Sequence, residues 1–350
     1  RRFFMKFGLH VILAGLLLSL TSCSSISSLS FDTICPAEVT FPQGVRSIVV
    51  VNNAAEIPVD NNIYSDLEGE DRKFSVKHDS LTYRIAEQVA LRLSSTGYFN
   101  TVGMFYDDSI SLPKDLYPVL SSEQLQAIRE DWPGSAVLTI DKADVNGFLS
   151  DARVMSVDGD FFISTFDILG ELTARLYLPG EDYPQTYRTQ DTIYWQEAGL
   201  TPDMPHSLLP ELPFCYIQAA SHFAQGLAGK MTPYKETVER FLFTSSDPAM
   251  KDAGRYWKKG KYDEASYLWE YIYENQKNAG KKARAASNIA LYYELNDNFK
   301  DALLWANRSL DEFMKRPDDN AYYVAMMRDY IHQLTQRRSN DAKLKLQMGY

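Results

Sequence analysis

The sequence predicts an α+β fold: an N-terminal α/β domain with a mixed or antiparallel sheet, followed by an α-helical domain. Two observations predict it. Up to about residue 212, β-branched runs and helical spacings alternate and then give way to long stretches of alternating polarity, whereas from Phe214 the apolar residues keep a helical spacing. The 350 residues are 45% hydrophobic and 23% charged, which is typical of folded, water-soluble domains.

The overall charge limits the kinds of partner. The formal net charge is -10, and no long basic tract offsets it. Because affinity for nucleic acids depends on Lys and Arg neutralising phosphates, we expect no nucleic-acid partner.

The first element is a secretion signal. A positively charged start precedes the apolar run Leu9–Leu20, which is shorter than the ~20 residues that a membrane-spanning helix needs. The run ends in LTSC, a motif that resembles the lipobox of bacterial lipoproteins. The resemblance implies that residues 1–22 are removed and that Cys23 carries a diacylglycerol thioether. Ordinary signal cleavage is the alternative.

The residues that follow Cys23 bear on location. Ser24 is not the aspartate linked with inner-membrane retention in enteric bacteria, and SSISSLS lacks the acidic cluster linked with surface export. The resemblance therefore implies the periplasmic face of the outer membrane, with the cell surface as the alternative. We expect residues 23–40 to form a serine-rich lipidated tether, with the membrane as a partner through the acylated cysteine.

Two further cysteines, Cys35 and Cys215, remain. The compartment is oxidising, so a disulfide between them is one interpretation. Two unpaired buried thiols are the other, because separation in sequence does not determine distance in space.

The α/β domain is predicted over residues 41–212. Its first strand is Arg46–Asn52, a β-branched run. A helix follows, with apolar residues every four positions from Leu81 to Leu93, and the Asn-, Asp- and Glu-rich segment before it predicts a long loop. Tyr98–Phe105 is the second predicted strand.

The rest of this domain is predicted to be a short helix and a meander. Ser121 and Gln124 form a capping box for the helix, and Ala136–Val145 is the third strand. Phe161–Leu178 and Gln185–Trp195 then alternate in polarity, as antiparallel hairpins do. This element order is weakly similar to the small α/β domain of the curli-secretion and penicillin-binding-protein-activator lipoproteins, which is an analogy of fold alone.

The helical domain is predicted over residues 213–338, with a loosely ordered tail at 339–350. Small residues from Ala219 to Ala228 favour close helix packing, and we expect Gly226 and Gly229 to serve the same purpose. Pro233 interrupts the helical pattern, which Val238–Phe243 resumes.

Two stretches of this domain align with each other: KKGKYDEASYLWEYI from Lys258 and NDNFKDALLWANRSL from Asn296. Both resemble the turn and second helix of a tetratricopeptide repeat, with Ala265 and Ala302 37 positions apart. An unrelated pair of helical hairpins is the alternative. The resemblance implies turn and packing roles for Gly260, Tyr262, Ala265, Trp269, Phe299 and Ala302.

Two repeats are fewer than a stable stack needs. We therefore expect helices at Phe214–Phe243 and Ala321–Arg337 to cover the two ends. The lipobox, the α/β region and these repeats together resemble a family of uncharacterised lipoproteins of Gram-negative bacteria, and that family implies no reaction.

Motifs for catalysis and for cofactors are missing from the sequence. It has no GxSxG, HExxH, GxGxxG or phosphate-binding loop, so we predict no enzyme activity and no cofactor. We also expect no metal site, because a hint of a calcium loop at Asp144, Asn146 and Gly147 lacks the first and twelfth ligands. Acidic loops, among them Asp107 and Asp108, leave a glycosidase as the weakest hypothesis.

The leading hypothesis is a non-catalytic scaffold in the cell envelope, whose helical domain grips a protein or peptide partner in its concave face. The second is a lipoprotein that captures glycans or small nutrients, in the manner of starch-binding-type lipoproteins that carry such repeats.

Overall fold

The computed structural model describes residues 26–105, 119–157 and 159–349. The predicted signal segment 1–22 lies outside them, as do Cys23, Ser24, Asp107 and Asp108.

The described residues form two compact units. The helical unit combines the described residues up to Cys35 with Lys235–Lys343. The α/β unit combines Pro36–Tyr234 with the residues from Leu344 onward. The predicted α+β class is confirmed, while the division falls after Tyr234 and not after residue 212.

The helices and strands are numbered in chain order. The strands are β1 (Ile26–Cys35), β2 (Ser47–Asn52), β3 (Asn62–Ser65), β4 (Asp71–Phe74), β5 (Thr101–Phe105), β6 (Ala136–Val154), β7 (Phe161–Tyr177), β8 (Gln185–Gly199) and β9 (Tyr234–Phe243). The helices are α1 (Leu81–Ser95), α2 (Ser122–Asp131), α3 (Met204–Leu208), α4 (Leu212–Met231), α5 (Pro248–Lys258), α6 (Tyr262–Asn275), α7 (Ala279–Leu295), α8 (Phe299–Met314) and α9 (Ala321–Met348).

The sheet of the α/β unit is mixed. β2 runs parallel to β5 on one side and to β6 on the other, with Val50 opposite both Met104 and Leu138. The second half of β6 pairs with β3, where Tyr64 is opposite Leu149. The other edge of β6 pairs antiparallel with β7, and β7 pairs antiparallel with β8. The predicted long loop before α1 thus contains the β3–β4 hairpin, because β3 finds its partner in the distant β6.

Helices cover both faces of this sheet. α1 and α4 contribute to the core on one face, and the predicted stripe of α1, from Leu81 to Leu93, is buried there. α2 packs on the other face through Ile128. Its predicted capping box is confirmed, since the Ser121 hydroxyl accepts from the Gln124 amide and the Gln124 side chain accepts from the Ser121 amide.

Strand β1 corrects the prediction of a tether over residues 23–40. Ile26, Leu29 and Phe31 pack against the core of the helical unit, so the serine-rich segment is ordered from Ile26. The serine-rich composition suggested a tether, but Leu29 and Phe31 lie on one face of the strand and pack on a core built from distant residues.

Strand β9 corrects a second prediction, in which Val238–Phe243 belonged to a helix. The hydroxyl of Ser27 donates to the carbonyl of Leu242, and that of Thr237 donates to the carboxylate of Asp32. These contacts show β1 and β9 running antiparallel as a two-stranded sheet. The sheet and α9 flank the paired helices, whereas the expected cover helix α4 belongs to the α/β unit.

Helix α9 corrects the prediction of a loose tail over 339–350, because it continues to Met348. The side-chain amide of Gln347 explains the order of its last turn. It accepts from the Ala37 amide at 2.9 Å and donates to the carbonyls of Ala37 and Val39 at 3.0 and 2.8 Å.

Candidate functional site

The two predicted repeats are two helical hairpins, α5–α6 and α7–α8, with closely similar turns. The Lys261 amide donates to the Tyr256 carbonyl at 3.0 Å, and 37 residues later the Asn298 amide donates to the Tyr293 carbonyl at 2.9 Å. Gly260 has the positive φ of 73° that ends the first helix of its hairpin.

The residues that the repeat pattern singled out are mostly packing residues. Four of them, Ala265, Trp269, Phe299 and Ala302, are buried in the core of the helical unit. Tyr262 is 45% exposed and its ring lies 4.6 Å from that of Trp257. These residues shape the hairpins and are not candidates for binding a partner.

The β1–β9 sheet packs against α7 and α9. The side chain of Asn288 on α7 accepts from the Phe243 amide at 2.8 Å and donates to the Phe243 carbonyl at 2.9 Å, as a neighbouring strand would. The ring of Phe241 lies 5.5 Å from that of Tyr330 on α9.

A buried ionic network joins the same elements. The Glu294 carboxylate, fully buried, accepts from the Arg240 guanidinium at 2.8–3.0 Å, from the Tyr330 hydroxyl at 2.8 Å and from Arg337. Burial beside this carboxylate raises the pKa of Tyr330 well above its ordinary value. The inward surfaces of α7 and α9 are therefore occupied by the chain's own strands, and a partner surface has to be sought elsewhere.

The two described cysteines, Cys35 and Cys215, form no disulfide with each other. Cys35, in the helical unit, donates to the Glu236 carboxylate at 3.0 Å, and Cys215, in the α/β unit, is buried in α4. Desolvation by burial raises the pKa of Cys215 to about 11, so this thiol is a poor nucleophile. The structure therefore agrees with the interpretation of two buried thiols and not with a disulfide between Cys35 and Cys215.

A second buried carboxylate, Asp141, lies in the α/β unit where β6 has a bulge. It accepts from Asn53 at 2.8 Å and forms an ion pair with Arg175 at 2.8 Å. Desolvation raises the pKa of Asp141, against the opposing effects of these partners. Its side chain is inaccessible to solvent, so this cluster joins β6 to β7 and to the residue that follows β2, and it is not open to a ligand.

Metal sites are missing from the part of the chain that the structure describes: no group of three His, Cys, Asp or Glu side chains is placed to hold an ion. Asp144, Asn146 and Gly147, the hint of a calcium loop, lie in β6 and form no loop.

An accessible site lies beside the outer edge of β8. A groove of about 350 Å³ has Arg188–Asp191 of β8 as one wall. The other wall is α4, which contributes His222, Gly226 and Lys230 at four-residue spacing and hence from one helical face. Phe223 completes the lining.

Side-chain bridges fix α4 against the strand. His222 Nε2 lies 2.8 Å from Asp191 Oδ2, and the Trp195 ring nitrogen donates to Gln218 at 3.2 Å. Gly170 on β7 lets the helix approach, because an added Cβ there would lie 2.4 Å from the Phe223 ring.

The edge of β8 itself is available for pairing. Among the described strands, β8 has β7 as its neighbour and no strand on its other side. The main-chain N–H and C=O groups of an edge strand alternate in pointing outward, and an added strand can bond to them. The groove thus joins an unpaired strand edge to a helix wall.

The prediction that Gly226 and Gly229 allow close helix packing is wrong. A Cβ added at either position would have no atom within 4 Å. Gly226 leaves room in the groove, and Gly229 lies on the same helix outside its lining.

Sequence reasoning missed this site because its walls are far apart in sequence. The available signal was the place of β8 as the last strand of a meander, followed directly by helices. No sequence motif includes His222 or its partner Asp191.

Comparison with known proteins covers most of the described chain. Residues 45–243 match the domain of unknown function DUF8603, a region that ends with β9. Residues 251–336 match the domain of unknown function DUF6340, which spans the paired helices and part of α9. No curated protein matches the chain. Within the described residues, no helix has the length and apolar character needed to cross a membrane.

Proposed function

We propose that this chain, which belongs to the family of the domain of unknown function DUF8603, is a non-catalytic lipoprotein scaffold of the cell envelope. In this proposal Cys23 anchors it to the periplasmic face of the outer membrane. The α/β unit binds an extended segment of a partner protein along the edge of β8. The observation that carries the binding proposal is the groove between that edge and α4.

The occupant that fits this groove is a β-strand. An extended segment would continue the sheet beyond β8 through main-chain hydrogen bonds, and its alternate side chains would enter the groove. A helix would leave the N–H and C=O groups of the edge unpaired.

The charges favour an acidic side chain on the bound strand. Lys230 is paired with Glu38 and His222 with Asp191, whereas Arg188, exposed on the edge, has no ion pair among the described residues. A carboxylate opposite Arg188 would satisfy it, and the charged edge would disfavour indiscriminate pairing.

The test uses a photo-cross-linking amino acid at Thr189 in living cells, together with two glycine variants. Gly226→Leu fills the groove, and Gly229→Leu is the matched control on the same helix. Both variants are expected to fold, because a Cβ meets open space at either position and leucine favours a helix more than glycine does.

All three proteins carry the cross-linking residue at position 189. We expect one defined protein to be cross-linked to the chain without a glycine substitution and to Gly229→Leu. We expect at least tenfold less of it to be cross-linked to Gly226→Leu. In the purified complex, the amides of β8 should exchange with solvent more slowly than in the free protein. Equal cross-linking in both glycine variants, or unchanged exchange of β8, would refute strand addition. Saturable binding of an oligosaccharide that Gly226→Leu abolishes would support the alternative of glycan capture.

The anchor is tested separately by labelling cells with a palmitate analogue. Incorporation into the wild-type chain and its loss in Cys23→Ala are expected. Labelling that persists in Cys23→Ala would reject this lipidation site.

A further inference from the structure

The distance from Cys23 to the folded body is short. Only Ser24 and Ser25 separate Cys23 from Ile26, which makes three steps along the chain, and Ile26 packs against the core of the helical unit. Since a residue spans at most ~3.6 Å, the acylated cysteine can lie no more than about 11 Å from the start of β1. If Cys23 is acylated, as the proposed function holds, the start of β1 lies at the bilayer surface.

The surface around the start of β1 follows from the strand pairing. Ser27 donates to the Leu242 carbonyl, so the start of β1 is level with the end of β9. There the Phe243 ring lies 5.9 Å from Phe313, in the last turn of α8, and 5.6 Å from Tyr323, in the first turn of α9. The α8–α9 connection therefore lies at the same end of the helical unit as the anchor.

This end continues through the other hairpin connections. The amino end of α7 lies beside that of α5, because Lys281 and Asp247 form an ion pair at 2.9 Å. It also lies beside the carboxyl end of α8, where Lys282 is 3.7 Å from Glu312. The start of β1, the α7 amino end and the α8–α9 connection are named the anchor end.

The anchor end exposes side chains that suit a membrane interface. Met314 is 41% exposed and Tyr322 is 70% exposed, on either side of the α8–α9 connection. Tyrosine is enriched at the level of the lipid headgroups, where its ring and hydroxyl meet different environments.

The charge of the anchor end also suits a lipid surface. Its cations balance its carboxylates, although the whole chain has a net charge of -10. Anionic lipids attract Lys and Arg and repel acidic surfaces. The five cations are Lys277, Lys281, Lys282, Lys315 and Arg316, and the five carboxylates are Asp247, Asp311, Glu312, Asp318 and Asp319.

We propose that the anchor end is a membrane-contact surface, in which Met314 and Tyr322 enter the headgroup layer of the bilayer that holds Cys23. This inference rests on the lipidation in the proposed function and adds the orientation of the helical unit. The acyl chains supply attachment, and the anchor end holds the unit against the membrane.

The test places a fluorescent label at Met314→Cys in the full-length lipidated protein. Tyr256→Cys, 39% exposed at the far end of α5, is the control with matched exposure. Cys35 and Cys215 are buried and Cys23 is acylated, so the introduced thiol is labelled selectively. Each protein is reconstituted into vesicles of phosphatidylethanolamine and phosphatidylglycerol that contain a nitroxide-bearing phospholipid.

We expect the nitroxide to quench the label at position 314 at least threefold more than the label at position 256. Equal quenching while the protein stays vesicle-bound would overturn the membrane-contact surface and leave the anchor intact. A protein that lacks the acyl chains in mass spectrometry would overturn the anchor, and with it this inference.

Discussion

The two helical hairpins have similar turn geometry, but they differ in the side chain that is buried at one equivalent position. Trp257, at the end of the first helix of one hairpin, lies 5.3 Å from Trp269 in an apolar core. The equivalent position 37 residues later holds Glu294, buried between Arg240 and Arg337. The second hairpin accepts a carboxylate there because β9 and α9 bring guanidinium groups to it. One turn geometry thus supports either an apolar or an ionic filling, depending on what packs against it.

The largest effect is expected from breaking the ionic filling. Arg240→Met leaves Glu294 buried with one cation fewer, which should lower the free energy of unfolding of the helical unit by about 3–5 kcal/mol. Urea unfolding followed by tryptophan fluorescence measures it, since Trp257, Trp269 and Trp305 belong to this unit. The control is Arg255→Met, which breaks the exposed pair with Asp252 in the same unit and should cost only a small fraction of that. Equal losses of unfolding free energy would show that the buried pair contributes no more to stability than an exposed pair.

Truncating the apolar filling comes next. Trp257→Ala removes the contacts with Trp269 and Tyr262 and should destabilise the helical unit by about 3 kcal/mol. Thermal unfolding of the variant provides the measurement. A loss below about 1 kcal/mol would mean that the first hairpin collapses onto the cavity without difficulty.

The shared turn offers a smaller, paired test. Gly260→Ala should cost about 1–2 kcal/mol, because a Cβ is strained at its left-handed φ of 73°. Asp297, the equivalent residue, has a φ of 53°, so Asp297→Gly should stabilise the turn by less than about 1 kcal/mol. Chemical denaturation of both variants checks the opposite signs, and two changes of the same sign would refute the equivalence of the turns.

The smallest effect concerns the caps. Asp247 caps α5 and Asn278 caps α7, so one cap is charged and the other neutral. A hydrogen bond from Lys281 lowers the pKa of Asp247 below 3.8 in the folded state. Its contribution to stability is therefore complete above pH 3.8 and is lost as the pH falls through the lowered folded pKa. Asp247→Asn keeps the cap and should cost about 0.5–1 kcal/mol at pH 7.

The pH dependence separates the charge from the cap. The difference in unfolding free energy between Asp247→Asn and the wild type should shrink as the pH is lowered below 3.8. Urea unfolding between pH 7 and pH 2.5 follows it, and a difference that does not change with pH would assign the loss to capping geometry.

Local pattern was sufficient for most of the fold. The β-branched run at β2, the four-residue spacing in α1 and the capping box of α2 act within a few residues, and each was predicted. The two hairpins were also predictable, because their turn and packing residues recur at one interval.

The errors occurred where a distant partner decides the structure. The sequence of β9 predicts a helix, and its contact between Arg240 and Glu294 depends on a distant part of the chain. The sequence of β1 predicts a tether, and its strand structure depends on pairing with β9. The groove on β8 was missed for the same reason, because α4 forms one of its walls only when it packs on the sheet. The lipobox at Cys23 is the opposite case, a purely local signal that lies outside the described residues.

The pairing of β1 with β9 also constrains the order of folding. Asp32 and Thr237 meet across a sequence separation of 205 residues, and the α/β unit lies almost entirely between them. Closing so long a loop costs conformational entropy before any contact repays it, which makes such pairings slow. During synthesis, β1 therefore remains unpaired and prone to aggregation until β9 and the paired helices have been made.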